Sequence, residues 1–318
     1  MKISVVMAVY NGAKYIEKQL DSIYRQTRKP DELIIKDDGS NDATTKIVSD
    51  FIQQRHLENT WKLIINDQNE GCVKNFIEGA REAKGEIIFY SDQDDIWDIH
   101  KIEHMSNGFM KYSDMLACYC LRYFIDDTDQ IIPDKYKFTT NTSYKQEGFR
   151  KVSFPENIKY NNSPGLCLAF RKTLLDEISS FILEENLTHD LPIGAIASLK
   201  GGYYVLNERL VYYRQHLNNL SAPRITIFSR ISDKKRQLEG RNDRLRQMDA
   251  IYRWYKNDLN KYEKKLLKDA ISSTNDSIRY LKENDIFHLF FLVFDRNPMI
   301  NKWININNLC TGIYDKFH

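Results

Sequence analysis

Glu86-Ile87-Ile88-Phe89-Tyr90-Ser91-Asp92-Gln93-Asp94-Asp95-Ile96-Trp97 starts as apolar β-formers and ends in three carboxylates within four positions. A short apolar run bounded by turn residues reads as a buried strand. Asp92, Asp94 and Asp95 then sit where that strand gives way to a loop. Burying three like charges together is costly, so a cation is expected to face them. Hard oxygen ligands on a loop suit Mg²⁺ or Mn²⁺, above all where a substrate phosphate supplies further ligands. A solvated acidic turn is the other reading, and this stretch alone leaves both open.

The flanking chain repeats the pattern. Ile3 to Val9 is an unbroken apolar run that stops at Tyr10-Asn11-Gly12, and Tyr15, Ile16, Leu20, Ile23 and Tyr24 then share a helical face. Leu33-Ile34-Ile35 runs into Asp37-Asp38-Gly39-Ser40-Asn41-Asp42, whose last residues can cap a helix over 43–53. A strand over 61–65, a helix over 73–83 and the acidic strand over 86–90 follow. Strands alternating with helices at this spacing predict an α/β fold of βαβ units around a mostly parallel sheet. Such sheets bury both faces and bind ligands at the C-terminal ends of their strands. The polar clusters at 10–12, 37–42 and 91–95 all fall at such ends.

Beyond residue 105 the alternation weakens. Residues 115–124 and 164–170 read as strands, 171–180 and 191–199 as helices, and 203–213 as a strand that runs to Arg214-Gln215-His216. The polar stretch 126–162 is left unassigned, as a loop over the site or a small excursion. After Pro223 long helical patterns rich in Lys and Arg take over, so a boundary is expected there, with 1–223 as one domain and 224–318 as a helical extension.

The whole chain of 318 residues carries 28% charged and 42% apolar residues, which excludes a disordered protein. Net charge is +2, but residues 224–268 hold 14 Lys+Arg against 6 Asp+Glu, a local +8 that leaves −6 elsewhere. A basic face toward something anionic is expected. Five cysteines without a Cys-x-x-Cys pair favour a reduced, cytoplasmic setting, with Cys118 and Cys120 as packing residues. The first residues read as a strand rather than a signal peptide, and no segment has the length to span a bilayer.

In order along the chain, Ser4-Val5-Val6-Met7-Ala8-Val9-Tyr10-Asn11, Asp37-Asp38-Gly39-Ser40, Asp92-Gln93-Asp94-Asp95, His189-Asp190 and Tyr213-Arg214-Gln215-His216-Leu217-Asn218-Asn219 make a pattern. It resembles the family 2 glycosyltransferases of GT-A fold over roughly the first 220 residues. The wording Ser-Asp-Gln-Asp-Asp-Ile-Trp with a later Tyr-Arg-Gln-His is similar to the bacterial rhamnosyltransferase-like branch.

The resemblance implies an inverting, Mn²⁺- or Mg²⁺-dependent transfer of a sugar from a nucleotide-diphosphate donor, with dTDP-rhamnose the expected donor and a lipid-linked or polysaccharide acceptor. It implies a nucleotide site at Ala8, Tyr10, Asp37, Asp38 and Asp92. Asp38 would accept from a pyrimidine N–H, Tyr10 would stack on the base, and Asp92 would lie near the ribose or the metal's waters. Ala8 stands where such a strand often offers a hydroxyl. Asp94 is the expected metal ligand and His216 completes the metal shell or contacts the diphosphate. Asp95, Trp97, His189 and Arg214 are expected at the donor sugar or in support of the site. Asp190 would be the general base. Its bland reading is a helix cap before Leu191-Pro192, and both can hold. For His216 the bland reading is a structural histidine at a strand end.

His100-Lys101-Ile102-Glu103-His104 spells a His-x-x-Glu-His zinc pattern. It follows directly on the acidic loop with no separate third ligand evident, so an amphipathic helix flank is preferred. Asn11-Gly12 is read as a loop before a helix, since no alternating strand follows. The basic C-terminal region reads either as a solvated charged face over a helical core or as a surface for an anionic membrane or a homodimer contact, and the resemblance favours peripheral attachment at the inner face of the cell membrane. Ile286 to Phe294 is apolar but too short to span. Nucleic acid is not an expected partner, because no recognition motif accompanies the charge. Rival readings are a UDP-hexose donor, a nucleotide-sugar-binding protein without catalysis, and a membrane adaptor.

Overall fold

The protein is described from a computed structural model over residues 1–133, 147–160, 164–216, 234–292 and 309–311. The chain opens with β1 (Ile3–Val9), α1 (Ile16–Tyr24), β2 (Glu32–Asp37), α2 (Thr44–Gln54), β3 (Trp61–Ile65), α3 (Cys72–Glu82), β4 (Ile87–Ser91), β5 (Ile96–Trp97) and α4 (Lys101–Lys111). It continues with β6 (Ala117–Ile125), β7 (Ile131–Ile132), β8 (Phe149–Lys151), α5 (Phe154–Tyr160), a 3₁₀ turn (Gly165–Cys167), β9 (Leu168–Arg171), α6 (Lys172–Glu184), α7 (Leu191–Leu199) and β10 (Tyr203–Arg214). Three further helices are α8 (Lys234–Tyr255), α9 (Lys261–Glu283) and α10 (Ile286–Leu292).

The ten described strands form one sheet in the order β3-β2-β1-β4-β9-β6-β10-β5, with β7 on β6 and β8 on β10. β3, β2, β1 and β4 are parallel neighbours, and β6 is parallel to β10. β9 lies between β4 and β6, antiparallel to both, so those six strands point one way. The apolar runs of β1, β2 and β4 are buried because helices cover the sheet: Val5, Val6, Ile35, Ile88 and Phe89 are shielded from solvent, as are Ile16, Leu20 and Ile23 of α1 and Phe76 and Ile77 of α3. Cys118 and Cys120 are buried in β6, as packing residues should be.

Two elements differ from the sequence reading. The run 164–170 divides into the 3₁₀ turn and an antiparallel β9. The chain leaves β6 at the C-terminal rim of the sheet and enters β9 from that same rim, so no crossover restores the parallel direction. The unassigned stretch holds β7, β8 and α5, and its residues 134–146 and 161–163 lie outside the described residues.

The described residues fall into two compact units, one of residues 1–133, 147–152 and 164–216, the other of 153–160, 234–292 and 309–311. The boundary expected at 223 lies outside the described residues, as do Leu217-Asn218-Asn219. In the second unit α9 begins with a capping box, in which Asn260 and Glu263 each satisfy the other's backbone N–H, and ends at Asn284 in the left-handed conformation. Met248, Ile251, Leu267, Ala270 and Leu281 are buried there. No described helix is long and apolar enough to cross a membrane.

Candidate active site

Because six strands share a direction, their C-terminal ends make one rim, and the loops on it are tied to each other. Gln93 of the acidic loop accepts from Tyr10 N–H at 2.9 Å and donates to Tyr10 C=O at 2.9 Å. That amide pins the tip of β1 to the tip of β4. A Cβ at Gly12 would meet Gln93 Oε1 at 2.3 Å, so a side chain there would push the amide away. Asn11, at φ +47°, accepts from Asn41 N–H at 2.8 Å and donates its own N–H to Ser40 Oγ at 2.8 Å. Asp37 is buried and accepts from Ser40 N–H at 2.7 Å, which closes the turn that follows β2. Ala8 is half-buried near the end of β1, and Tyr10 is 44% exposed at the rim.

Asp38 is buried, and both its oxygens receive protein donors: Glu70 N–H at 2.7 Å, Gly71 N–H at 2.9 Å and Asn66 Nδ2 at 3.2 Å. Burial alone would raise its pKa, but these bonds and Asn75 outweigh it and hold the carboxyl below its ordinary value. Asp38 thus fastens the loop that leads into α3, and a base N–H would be a further partner. The first residue of α3, Cys72, has its thiol pushed up by burial and then by Asp92, Asp190 and Asp38. One thiol thus feels three carboxylates that are far apart in sequence.

The acidic loop is built on buried cationic and imidazole groups. Arg214 is fully buried at the end of β10; its N–H donates to Asp95 Oδ1 at 3.0 Å and its Nε to Asp94 C=O at 2.8 Å. Its Nη1 donates to Asp126 C=O at 2.9 Å and pairs with Asp129 at 2.5 Å. Arg214 therefore ties the tips of β4, β6 and β10 together from behind the rim. His216 Nε2 lies 2.7 Å from Asp94 Oδ2, and its ring packs on Tyr15 with centroids 4.9 Å apart. Asp92 is pushed up to about 8 by burial and then by Asp94 and Asp190. Asp95 is held well above the carboxylate range by burial and by Asp94 and Asp92. Asp94 and His216 offer a carboxylate oxygen and an imidazole nitrogen in contact, a pair whose chemistry suits Mn²⁺ or Mg²⁺ where substrate phosphate supplies further ligands.

Asp190 caps α7, accepting from Leu191 N–H at 2.8 Å through Oδ1. Its Oδ2 accepts from Gly165 N–H at 2.9 Å, at the head of the 3₁₀ turn. The expected cap is therefore present, and the turn fixes the second oxygen. His189 stacks on Phe76 with centroids 4.1 Å apart and meets Tyr90 edge-on at 5.5 Å. Burial lowers its pKa against the opposing pull of Asp190, so the ring is neutral and acts as packing behind the carboxylate. A Cβ at Gly165 would meet His189 Nε2 at 2.7 Å, so glycine is what lets the turn approach.

Two residues escaped the sequence reading. Lys101 in the first turn of α4 is fully buried, donates to Leu166 C=O at 2.6 Å and lies 3.4 Å from the Trp97 ring centroid. Burial drops its pKa to about 8, against Cys120, Cys167, Asp95 and Asp92, which raise it. A lysine on a helix flank is ordinarily solvated, and nothing in the spacing marks this one as the buried cation beneath the acidic loop. Trp97, 2% exposed, is the surface on which that ammonium rests. Cys72 is the other missed residue; only its place at the start of α3 could have pointed to the rim.

The family profile described as "Glycosyl transferase family 2" matches residues 4–178, more than half of the chain. The chain belongs to that family. This glycosyltransferase is 27% identical over 229 residues to the dTDP-rhamnosyl transferase RfbG of Shigella flexneri, covering 67% of this chain and 72% of that protein. It superposes on S. aureus TarS with TM-score 0.61 at 19% identity, over 99% of this chain but only 55% of TarS. TarS 1–349 in complex with UDP gives TM-score 0.57 at 17% identity, with 92% of that shorter chain covered. Mannosyltransferase PcManGT from Pyrobaculum calidifontis, in complex with GDP-Man and Mn²⁺, gives TM-score 0.56 at 16% identity over 99% of this chain and 87% of that one. Likenesses at these identities establish the GT-A fold of the glycosyltransferase and no more.

Proposed function

We propose that the protein is an inverting, divalent-cation-dependent glycosyltransferase with dTDP-rhamnose as donor and a lipid-linked or saccharide acceptor. The observation that carries this reading is the contact of Asp94 Oδ2 with His216 Nε2, 2.7 Å apart, on the same rim as Asp92 and Asp190. The donor's base would lie by Tyr10 and the turn that Asp37 and Asp38 hold, with its ribose near Asp92. Asp94 and His216 would hold Mn²⁺ or Mg²⁺, with Asp95 in support. The cation, when bound, neutralises charge on the departing diphosphate. Mn²⁺ in the PcManGT complex supports this assignment.

Asp190 would act on the acceptor. Two backbone N–H bonds orient its carboxylate and leave lone pairs for a proton. It takes the proton from an acceptor hydroxyl as that oxygen attacks the anomeric carbon. The new glycosidic bond forms as the bond from that carbon to the diphosphate oxygen breaks, and one displacement inverts the centre. Residues 1–223 would serve as the catalytic domain, and residues 224–318 would hold the protein at an anionic membrane surface or a second copy.

RfbG, named for dTDP-rhamnose, favours that donor. TarS has been captured with UDP-GlcNAc, which supports a UDP-hexose donor as the second reading. Incubating the full chain and Asp190→Ala with Mn²⁺ and dTDP-rhamnose, UDP-hexoses or GDP-mannose separates these by which nucleoside diphosphate is released. Release by wild type and its loss in Asp190→Ala is the expected result; release by neither would leave a binding protein without catalysis. The anomeric proton coupling of the product tests inversion.

A further inference from the structure

We propose a second metal site, of the type that takes Zn²⁺, formed by His100, Glu103 and His104 and ordered by Glu208. His100 precedes α4 and the other two ligands lie in its first turn, so the spacing places all three on one face. One ligand atom from each lies within 4.8 Å of the others. The two imidazoles stack, with centroids 5.1 Å apart and planes 11° from each other, so a shared ion requires one ring to turn about its side-chain torsions until both in-plane lone pairs converge.

The support comes from other elements. On β10, Glu208 Oε2 lies 2.6 Å from His104 Nδ1. A neutral ring in that contact carries its proton on Nδ1 and turns the Nε2 lone pair outward, which is how a carboxylate prepares a histidine ligand. Thr27 Oγ1, beyond α1, donates to Glu103 Oε2 at 2.5 Å and limits that carboxylate's freedom. The side chains of His100, Glu103 and His104 are 44%, 46% and 39% exposed, so an ion can enter and water can complete its shell. Two imidazoles and one carboxylate select Zn²⁺, Co²⁺ or Ni²⁺, whereas the carboxylate-rich rim suits Mn²⁺ or Mg²⁺. The sequence pattern showed no separate third ligand; here Glu103 of the same turn is the third donor, and Glu208 and Thr27 support the set from other elements. The bound ion would clamp the turn that also carries Lys101.

The test is Zn²⁺ titration of the metal-free full chain, read by calorimetry and by melting temperature, with Co²⁺ absorption as an independent signature. Asp94→Asn removes the rim's own ligand. The expected result is one Zn²⁺ equivalent retained in Asp94→Asn, with a raised melting temperature, and lost in His100→Ala/His104→Ala. Glu208→Gln should weaken that equivalent about 10- to 100-fold without abolishing it. The half-exposed positions make misfolding of these variants a matter that circular dichroism settles directly, and Glu103→Gln gives a milder second variant. No Zn²⁺ retained by Asp94→Asn, or an equal Zn²⁺ stoichiometry in the folded histidine variant, would overturn the site.

Discussion

Asp190 caps α7, and in the proposed reading it also takes the acceptor's proton. As a cap it needs only an acceptor oxygen, and as a base it needs a carboxylate. Asp190→Asn keeps one oxygen for Leu191 N–H, sets an NH₂ group against Gly165 N–H, and removes the proton-accepting charge. Loss of the acceptor for Gly165 N–H should cost about 1–3 kcal/mol of stability, while turnover should fall on the order of 10²- to 10⁴-fold. Equal turnover of the two proteins in a donor-consumption assay would reduce Asp190 to a cap. Lys101 asks the reverse question. Lys101→Met leaves Leu166 C=O without its 2.6 Å donor, a loss of about 1–3 kcal/mol. Chemical denaturation should show that loss, together with a fall in turnover, because the turn that orients Asp190 begins one residue before Leu166. The cap at Asp190 was legible in the sequence from Leu191-Pro192 after it, while its role as base rests on the order of motifs and stays a proposal. Lys101 was not legible, because its role depends on β5, α4 and the 3₁₀ turn meeting, and a lysine among polar helix residues carries no mark of burial.

At the scale of elements, the acidic loop should make the metal-free protein sensitive to pH. Asp92 rises from an ordinary 3.8 to about 8, so between those values the folded chain holds a proton that the unfolded chain has lost. Stability from this group is therefore complete at low pH and drains away as pH climbs toward 8. Denaturant melts in chelator, compared between wild type and Asp92→Asn, should show wild type losing more stability from pH 5 to pH 8. Mn²⁺ should cancel the difference by favouring the ionised carboxyls. A parallel pH profile for the two proteins would show that Asp92 is not perturbed. The 3₁₀ turn makes a separate claim: in Gly165→Ala the added Cβ presses on His189 Nε2, so turnover should fall with little change in donor affinity. The β1–β4 half of the sheet was readable because its apolar runs are unbroken and its polar clusters fall at strand ends. The direction of β9 was not legible, because direction is set by which rim the chain returns from, and no periodicity marks the residues between β6 and β9.

For the molecule as a whole, local charge overstates the surface available to a membrane. The excess of basic residues from 224 onward is visible in the sequence, but burial sorts it. Arg241 is buried, and Arg244, which donates to Ile158 C=O at 3.0 Å, is pushed down to about 10 by burial. Lys261, Lys265 and Lys268 remain exposed on α9, spaced to share one face, and Tyr262 beside them is 59% exposed. Exposed cations with an exposed tyrosine on the same helix are what an anionic headgroup layer attracts. At roughly 1 kcal/mol per charge near such a surface, neutralising all three to Gln should cost about 3 kcal/mol, near 100-fold in partitioning. Co-sedimentation of the full chain with phosphatidylserine vesicles should show that drop, and rising salt should weaken wild-type recovery in the same direction. Equal recovery on neutral vesicles, or an unchanged triple variant, would remove the membrane from the account and leave these helices to a second copy of the chain, which sedimentation in the absence of lipid would then reveal.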